Sequence, residues 1–201
     1  MGQRLVVTVT SQGKNLCNIY YHWSAYTMSA LYTTKEILDC IYNHEDESES
    51  ELLLRLIRFC EENGGGISNG PNGDEWKYIQ NLYPNEVFKA EMISRNNGLI
   101  SLSEKEMAES QYWSEGDVII NLDEDEVNFG VFCGYDDIEE YIEERKSWDD
   151  DFEEMNIEDI PDIGVELGFF DVSDIDKVIA ALESTDGWVV RNENEVYELT
   201  E

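Results

Sequence analysis

Residues 4–22, RLVVTVTSQGKNLCNIYYH, decide the fold class. Residues 4–10 and 16–22 are β-branched and aromatic runs on either side of the turn-forming stretch 11–15 (SQGKN), and this arrangement predicts an N-terminal β-hairpin. The period then changes. Met28, Leu31, Tyr32, Ile37, Leu38 and Ile41 recur at helical intervals and predict a helix over about 25–43. Ser48 and Glu51 have capping-box spacing ahead of LLLRLIRFC, which predicts a second helix that stops at Asn63, before Gly64, Gly65 and Gly66.

Outward from that start the pattern alternates. Residues 63–74 (NGGGISNGPNGD) read as a flexible loop; they lack the G-K-[ST] of a phosphate loop and follow no clear strand. A short aromatic segment comes next (Trp76, Tyr78, Leu82, Tyr83), then a strand near 99–102 and a helix boxed by Ser103 and Glu106. VIINLDEDEVNFGVF, within 117–132, predicts a second hairpin with an acidic turn. A helix is expected at about 135–146, an acidic segment to Pro161, a helix capped by Ser173 and ending near Ser184, and a closing pair of strands, 188–191 with 195–199. Strands at both ends and between helices, joined by hairpin-length turns, indicate an α+β fold with antiparallel pairing. The chain divides into a near-neutral scaffold, 1–100, and a strongly acidic α+β region, 101–201, which together are compatible with one continuous domain.

Charge is the strongest compositional signal. The 201 residues carry 46 Asp and Glu against 13 Lys and Arg, a net charge of −33. Residues 101–201 hold −28 of it, and 14 of the 27 residues from 136 to 162 are acidic. That excludes ordinary nucleic-acid binding, which needs Lys and Arg against phosphate, and attraction to anionic membranes. Disorder is excluded as well, because 41% hydrophobic and 11% aromatic residues supply enough apolar surface for a core. Ile138, Tyr141, Ile142, Trp148, Phe152, Met155, Ile157 and Ile160 recur through the acidic block, which therefore reads as a packed element with an acidic outer face.

Simpler explanations of the charge fall short. Salt adaptation would spread acids over both halves, and solubility needs a net charge of only about 2 to 8. Calcium loops would need a Gly at the sixth position and a closing Glu, which 121–128 (NLDEDEVN) and 171–176 (DVSDID) lack. No run approaches the roughly 20 apolar residues of a membrane helix, and the N-terminus has no signal-peptide pattern, so a cytoplasmic location is expected. Cys17, Cys40, Cys60 and Cys133 form no C-x-x-C pair and read as buried free thiols, with no metal or cofactor implied. His22, in IYYHWSAYT near Ser24 and Cys17, reads as part of a packed aromatic strand end, and His44 as a solvated histidine at a helix end. No catalytic residue is assigned. Carboxylate pairs carry no glycosidase signal among 46 acids.

The helix at 135–146 carries the more informative arrangement. Asp136, Glu139, Glu140, Glu143 and Glu144 fall at i, i+3, i+4, i+7 and i+8, one face of a helix, with Ile138, Tyr141 and Ile142 on the other. Carboxylates so spaced lie about 5 to 6 Å apart, near the spacing of successive phosphates along a strand. At about one charge per 1.7 Å, 28 net charges match about 48 Å of duplex. The candidate partner-binding residues are Asp136, Asp137, Glu139, Glu140, Glu143, Glu144, Trp148, Asp149, Asp150, Asp151, Glu153 and Glu154, joined by Asp123, Glu124, Asp125 and Glu126 of the acidic turn. Trp148, Tyr141, Trp113 and Phe152 are candidate aromatic anchors; Tyr141 and Phe152 read equally well as core.

In composition and layout the chain resembles the acidic DNA-mimic inhibitors of phages and mobile elements: anti-restriction proteins, anti-CRISPR proteins and uracil-glycosylase inhibitors. The resemblance implies a stoichiometric inhibitor, not an enzyme, that occupies the basic groove of a host defence protein in the host cytoplasm. An RNA-guided CRISPR nuclease is the first expectation and a restriction enzyme the second. The alternatives are an acidic adaptor or host-takeover protein that binds a basic partner, and, further off, an enzyme working through IYYHWSAYT and the Gly-rich loop.

Overall fold

The structure, a computed structural model, describes residues 3–43, 47–68, 73–88, 90–91, 97–130 and 166–183. The N-terminal hairpin forms as the sequence predicts: β1 (Leu5–Ser11) pairs antiparallel with β2 (Lys14–Tyr21), from Leu5 opposite Tyr21 to Ser11 opposite Lys14. Its turn is tighter than the five residues expected. Gln12 and Gly13 alone span it, with φ of 52° and 67°, and two consecutive left-handed residues give the turn whose twist matches that of the flanking strands.

α1 (Thr27–Tyr42) follows, then α2 (Glu49–Glu62). α2 begins at the expected capping box: Ser48 accepts from the Glu51 amide, and Glu51 accepts from the Ser48 amide at 2.9 Å. The Gly-rich stretch departs from the loop reading. Residues 66–68 are a strand, β3 (Gly66–Ser68), and Gly65 and Gly66 are buried. A Cβ on Gly65 would fall 2.0 Å from the Gly98 carbonyl oxygen, so the glycine is there for backbone contact rather than flexibility. The aromatic segment forms α3 (Asp74–Leu82), and β4 (Ala90–Glu91), β5 (Leu99–Ser101), α4 (Glu104–Tyr112), β6 (Gly116–Asn121), β7 (Glu126–Gly130), β8 (Glu166–Asp171) and α5 (Ile175–Glu183) complete the described elements. The last helix is approached differently from the expectation: Asp171, not Ser173, is the capping side chain, accepting from the Ser173 amide at 2.8 Å to start a 3-10 turn that runs into α5.

The fold is α+β. One eight-stranded sheet runs in the order β4-β3-β5-β2-β1-β6-β7-β8. Pairing is mixed rather than wholly antiparallel, since β1–β6, β3–β5 and β3–β4 are parallel. The reason lies in β1. All of Leu5 to Val9 is buried, so this strand sits in the middle of the sheet with both faces covered, and its second neighbour arrives from residue 116 after a long crossover. The β1–β6 pairing carries the sheet across residue 100, from the near-neutral half into the acidic one.

The main core fills one face of the sheet. Leu5, Val7, Val9, Cys17, Ile19, Val118, Ile120, Val127 and Phe129 meet apolar residues of α1, α2 and α5, among them Leu31, Ile37, Leu56, Ile57, Val178 and Ile179. The other face carries α4, which is held by polar contacts. Asn18 accepts from the Thr8 hydroxyl at 3.0 Å and donates to the Met107 carbonyl at 3.1 Å and the Ser110 hydroxyl at 3.2 Å. No described helix is long and apolar enough to cross a membrane.

Candidate functional site

The parallel β1–β6 pair places Thr10 opposite Asn121, and so brings the acidic turn between β6 and β7 beside the hairpin turn of β1 and β2. Asp123 uses that proximity. Its carboxylate accepts from the Gln12 amide at 2.8 Å and the Gly13 amide at 3.0 Å, and these hydrogen bonds hold it below the usual carboxylate range. Asp125 takes a left-handed backbone, φ 54°, accepts from the Tyr42 hydroxyl at 2.8 Å, and through its carbonyl accepts from the Val172 amide at 2.9 Å. Burial, then the bond to Asp125, pushes the Tyr42 phenol up. Two of the four candidate carboxylates in this turn therefore hold the fold together.

Glu124 is exposed, and Glu126 is half-buried opposite Asp171 across the β7–β8 pair. Like charges in that register repel. Asp171 is held low by the Ser173 hydroxyl and amide, while Asp174 and Asp176 are engaged by Lys177 and by Lys35, the latter at 2.9 Å. Asp171, Asp174 and Asp176 thus extend the acidic end beyond the four residues read from the sequence. Their signal was present in DVSDID, and only the β7–β8 pairing assigns them to the same end of the sheet.

Cations are spent internally. Arg4 pairs with Glu115 at 3.0 Å, Lys35 with Asp39 and Asp176, Arg55 with Glu47, Arg58 with Glu61 and Glu86, Lys77 and Lys105 with Asp74, and Lys177 with Asp174. The exposed ones among them, such as those of Lys77 and Lys105 with Asp74, add little stability. Their consequence is electrostatic: of the Lys and Arg among the described residues, only Lys14 is outside an ion pair with a described acid, so the surplus carboxylates keep their field.

Of the histidines and cysteines, His44 and Cys133 lie outside the described residues, and Cys40 is half-buried rather than buried. His22 Nδ1 is 2.8 Å from the Tyr20 hydroxyl and its ring stacks edge-on against Trp23 at 5.1 Å. Cys17 points into the main core, where burial pushes its thiol up to about 12, and burial raises Cys60 as well. Neither supplies a thiolate near neutral pH. No group of three or more His, Cys, Asp and Glu among the described residues is placed to hold a metal ion.

Asp136, Asp137, Glu139, Glu140, Glu143, Glu144, Trp148, Asp149, Asp150, Asp151, Glu153 and Glu154 lie outside the described residues, as do the expected helix at 135–146, Tyr141, Phe152 and the closing strands. Trp113 is described. It follows α4, is half exposed, and lies under the Arg4 guanidinium, 5.6 Å from the ring centroid. The chain matches no protein-family model, no curated protein and no solved structure.

Proposed function

We propose that this protein is a stoichiometric inhibitor that binds, through its carboxylates, the basic nucleic-acid groove of a host defence protein, an RNA-guided nuclease in the first place and a restriction enzyme in the second. The observation that supports the reading is the segregation of charge. Residues 101–201 carry −28 of the −33 net charge on a chain whose described cations are almost all tied up in internal ion pairs. Opposite fields raise association rates by about 10- to 1000-fold, and a surface so charged competes with phosphate for the same Lys and Arg.

Cleavage of a target duplex by such a nuclease, titrated with the protein at several salt concentrations, tests the proposal. Inhibition ends at a fixed molar ratio, weakens steeply as salt rises, and is relieved by excess nucleic acid. Loss of cleavage at far less than one protein per nuclease points instead to an enzyme, and binding indifferent to both salt and nucleic acid to an adaptor.

A further inference from the structure

At the opposite end of β1 and β6 from the acidic turn, between α4 and the polar face of the sheet, lies a cavity of about 430 Å³. Arg4, Tyr20, His22, Glu106, Glu109 and Trp113 line it. The Arg4 charge is already answered: its Nε lies 3.0 Å from Glu115 Oε2, and its guanidinium lies over one face of the Trp113 ring, 5.6 Å from the centroid. Glu106 and Glu109 stand one helical turn apart on α4, and the only hydrogen bond to either carboxylate from a described side chain is that of the Ser68 hydroxyl, 3.0 Å from Glu106 Oε1. Trp113 remains 51% exposed beside them.

We propose that this cavity receives an arginine side chain of a partner protein, its guanidinium forked onto Glu106 and Glu109 and its plane laid on the Trp113 indole. The lining selects for that chemistry. A carboxylate or phosphate would face two acids inside a protein of charge −33, and a neutral ring would leave half-buried Glu106 with no ion pair to a described Lys or Arg. Guanidinium suits the cavity better than ammonium because it is planar, donates in a fork and stacks on an aromatic face. The chain itself shows the combination next door, where Arg4 meets an indole and a carboxylate at once. This site is separate from the acidic turn and stands whether or not the proposed inhibition does.

Titration of the full chain with N-acetyl-arginine amide, followed by the indole N–H of Trp113 and the amides of α4 in heteronuclear NMR, tests the assignment. The expected result is a saturable shift centred on Trp113 and α4, at least tenfold weaker with the citrulline analogue, with N-acetyl-lysine amide, and in the Glu106→Gln/Glu109→Gln variant. Equal shifts with citrulline or lysine, or shifts centred on the acidic turn at 122–126, overturn it. Trp113→Leu, which keeps both carboxylates, guards against a folding defect in the double variant: unchanged arginine affinity read at the α4 amides also overturns the proposal.

Discussion

Glu75 shows how much of this acidic protein's carboxylate is structural. Only 2% exposed on α3, it accepts from the Leu102 amide at 2.5 Å, the Ser103 amide at 3.1 Å and the Ser103 hydroxyl, and so ties α3 to the start of α4, where the helix dipole favours an anion. Glu75→Ala strands those donors in the interior, and a stranded buried group costs about 1 to 3 kcal/mol. Urea denaturation is expected to show a loss of about 2 to 3 kcal/mol with little change in slope, and a smaller loss for Glu75→Gln, which keeps one acceptor. A change below about 0.5 kcal/mol, the size typical of surface substitutions, contradicts the structural role.

Among the elements, those whose signals are local were legible in the sequence. The hairpin, α1, and the capping box of α2 follow from alternation, helical spacing and a Ser-x-x-Glu within a few residues of each other. Ser103 and Glu106 show where such reading stops: Ser103 caps α4 through the Glu106 amide, but the Glu106 carboxylate turns to Ser68, 38 residues away in sequence. β3 and β4 were missed because they are strands of three and two residues defined by their partners, and β8 because ELGFFD has no alternation of its own to mark it. The acidic turn at Asp123 to Glu126 was legible as a cluster. Its use by the fold was not, because it depends on the parallel β1–β6 pair. The hairpin turn offers a direct check. Gly13 sits at φ 67° with open space around its α-carbon, so Gly13→Val brings backbone strain rather than a clash, and thermal melts are expected to report a loss of about 1 to 2 kcal/mol. An unchanged melting temperature would show that the turn has another conformation.

Across the whole molecule, a charge of −33 repels itself, and this sets the response to pH and salt. Burial raises Asp117 and Glu106, so these carboxylates take up protons in the folded state before they do in the unfolded chain, and folding gains as pH falls through their range. Asp123, Asp171 and Glu51 act in the other direction. Held low by hydrogen bonds, they contribute stability above the unfolded carboxylate range, about pH 4, and lose it as pH falls through their depressed values. Melting temperature is therefore expected to rise from pH 7 to about pH 5 and with added salt at pH 7, then to fall at lower pH. A steady fall from pH 7 downward would mean that self-repulsion does not govern the stability of the fold.

The central claim is that the carboxylates of residues 101–201 bind a basic groove, and charge reversal tests it most directly. Glu139, Glu140, Glu143 and Glu144 are changed together to Lys, and inhibition of the RNA-guided nuclease and the salt dependence of binding are measured beside a thermal melt. The account predicts a variant that folds at least as stably as the wild type, because like-charge repulsion is relieved, yet has lost inhibition. Full inhibition by that folded variant, with the wild-type salt dependence intact, would contradict it.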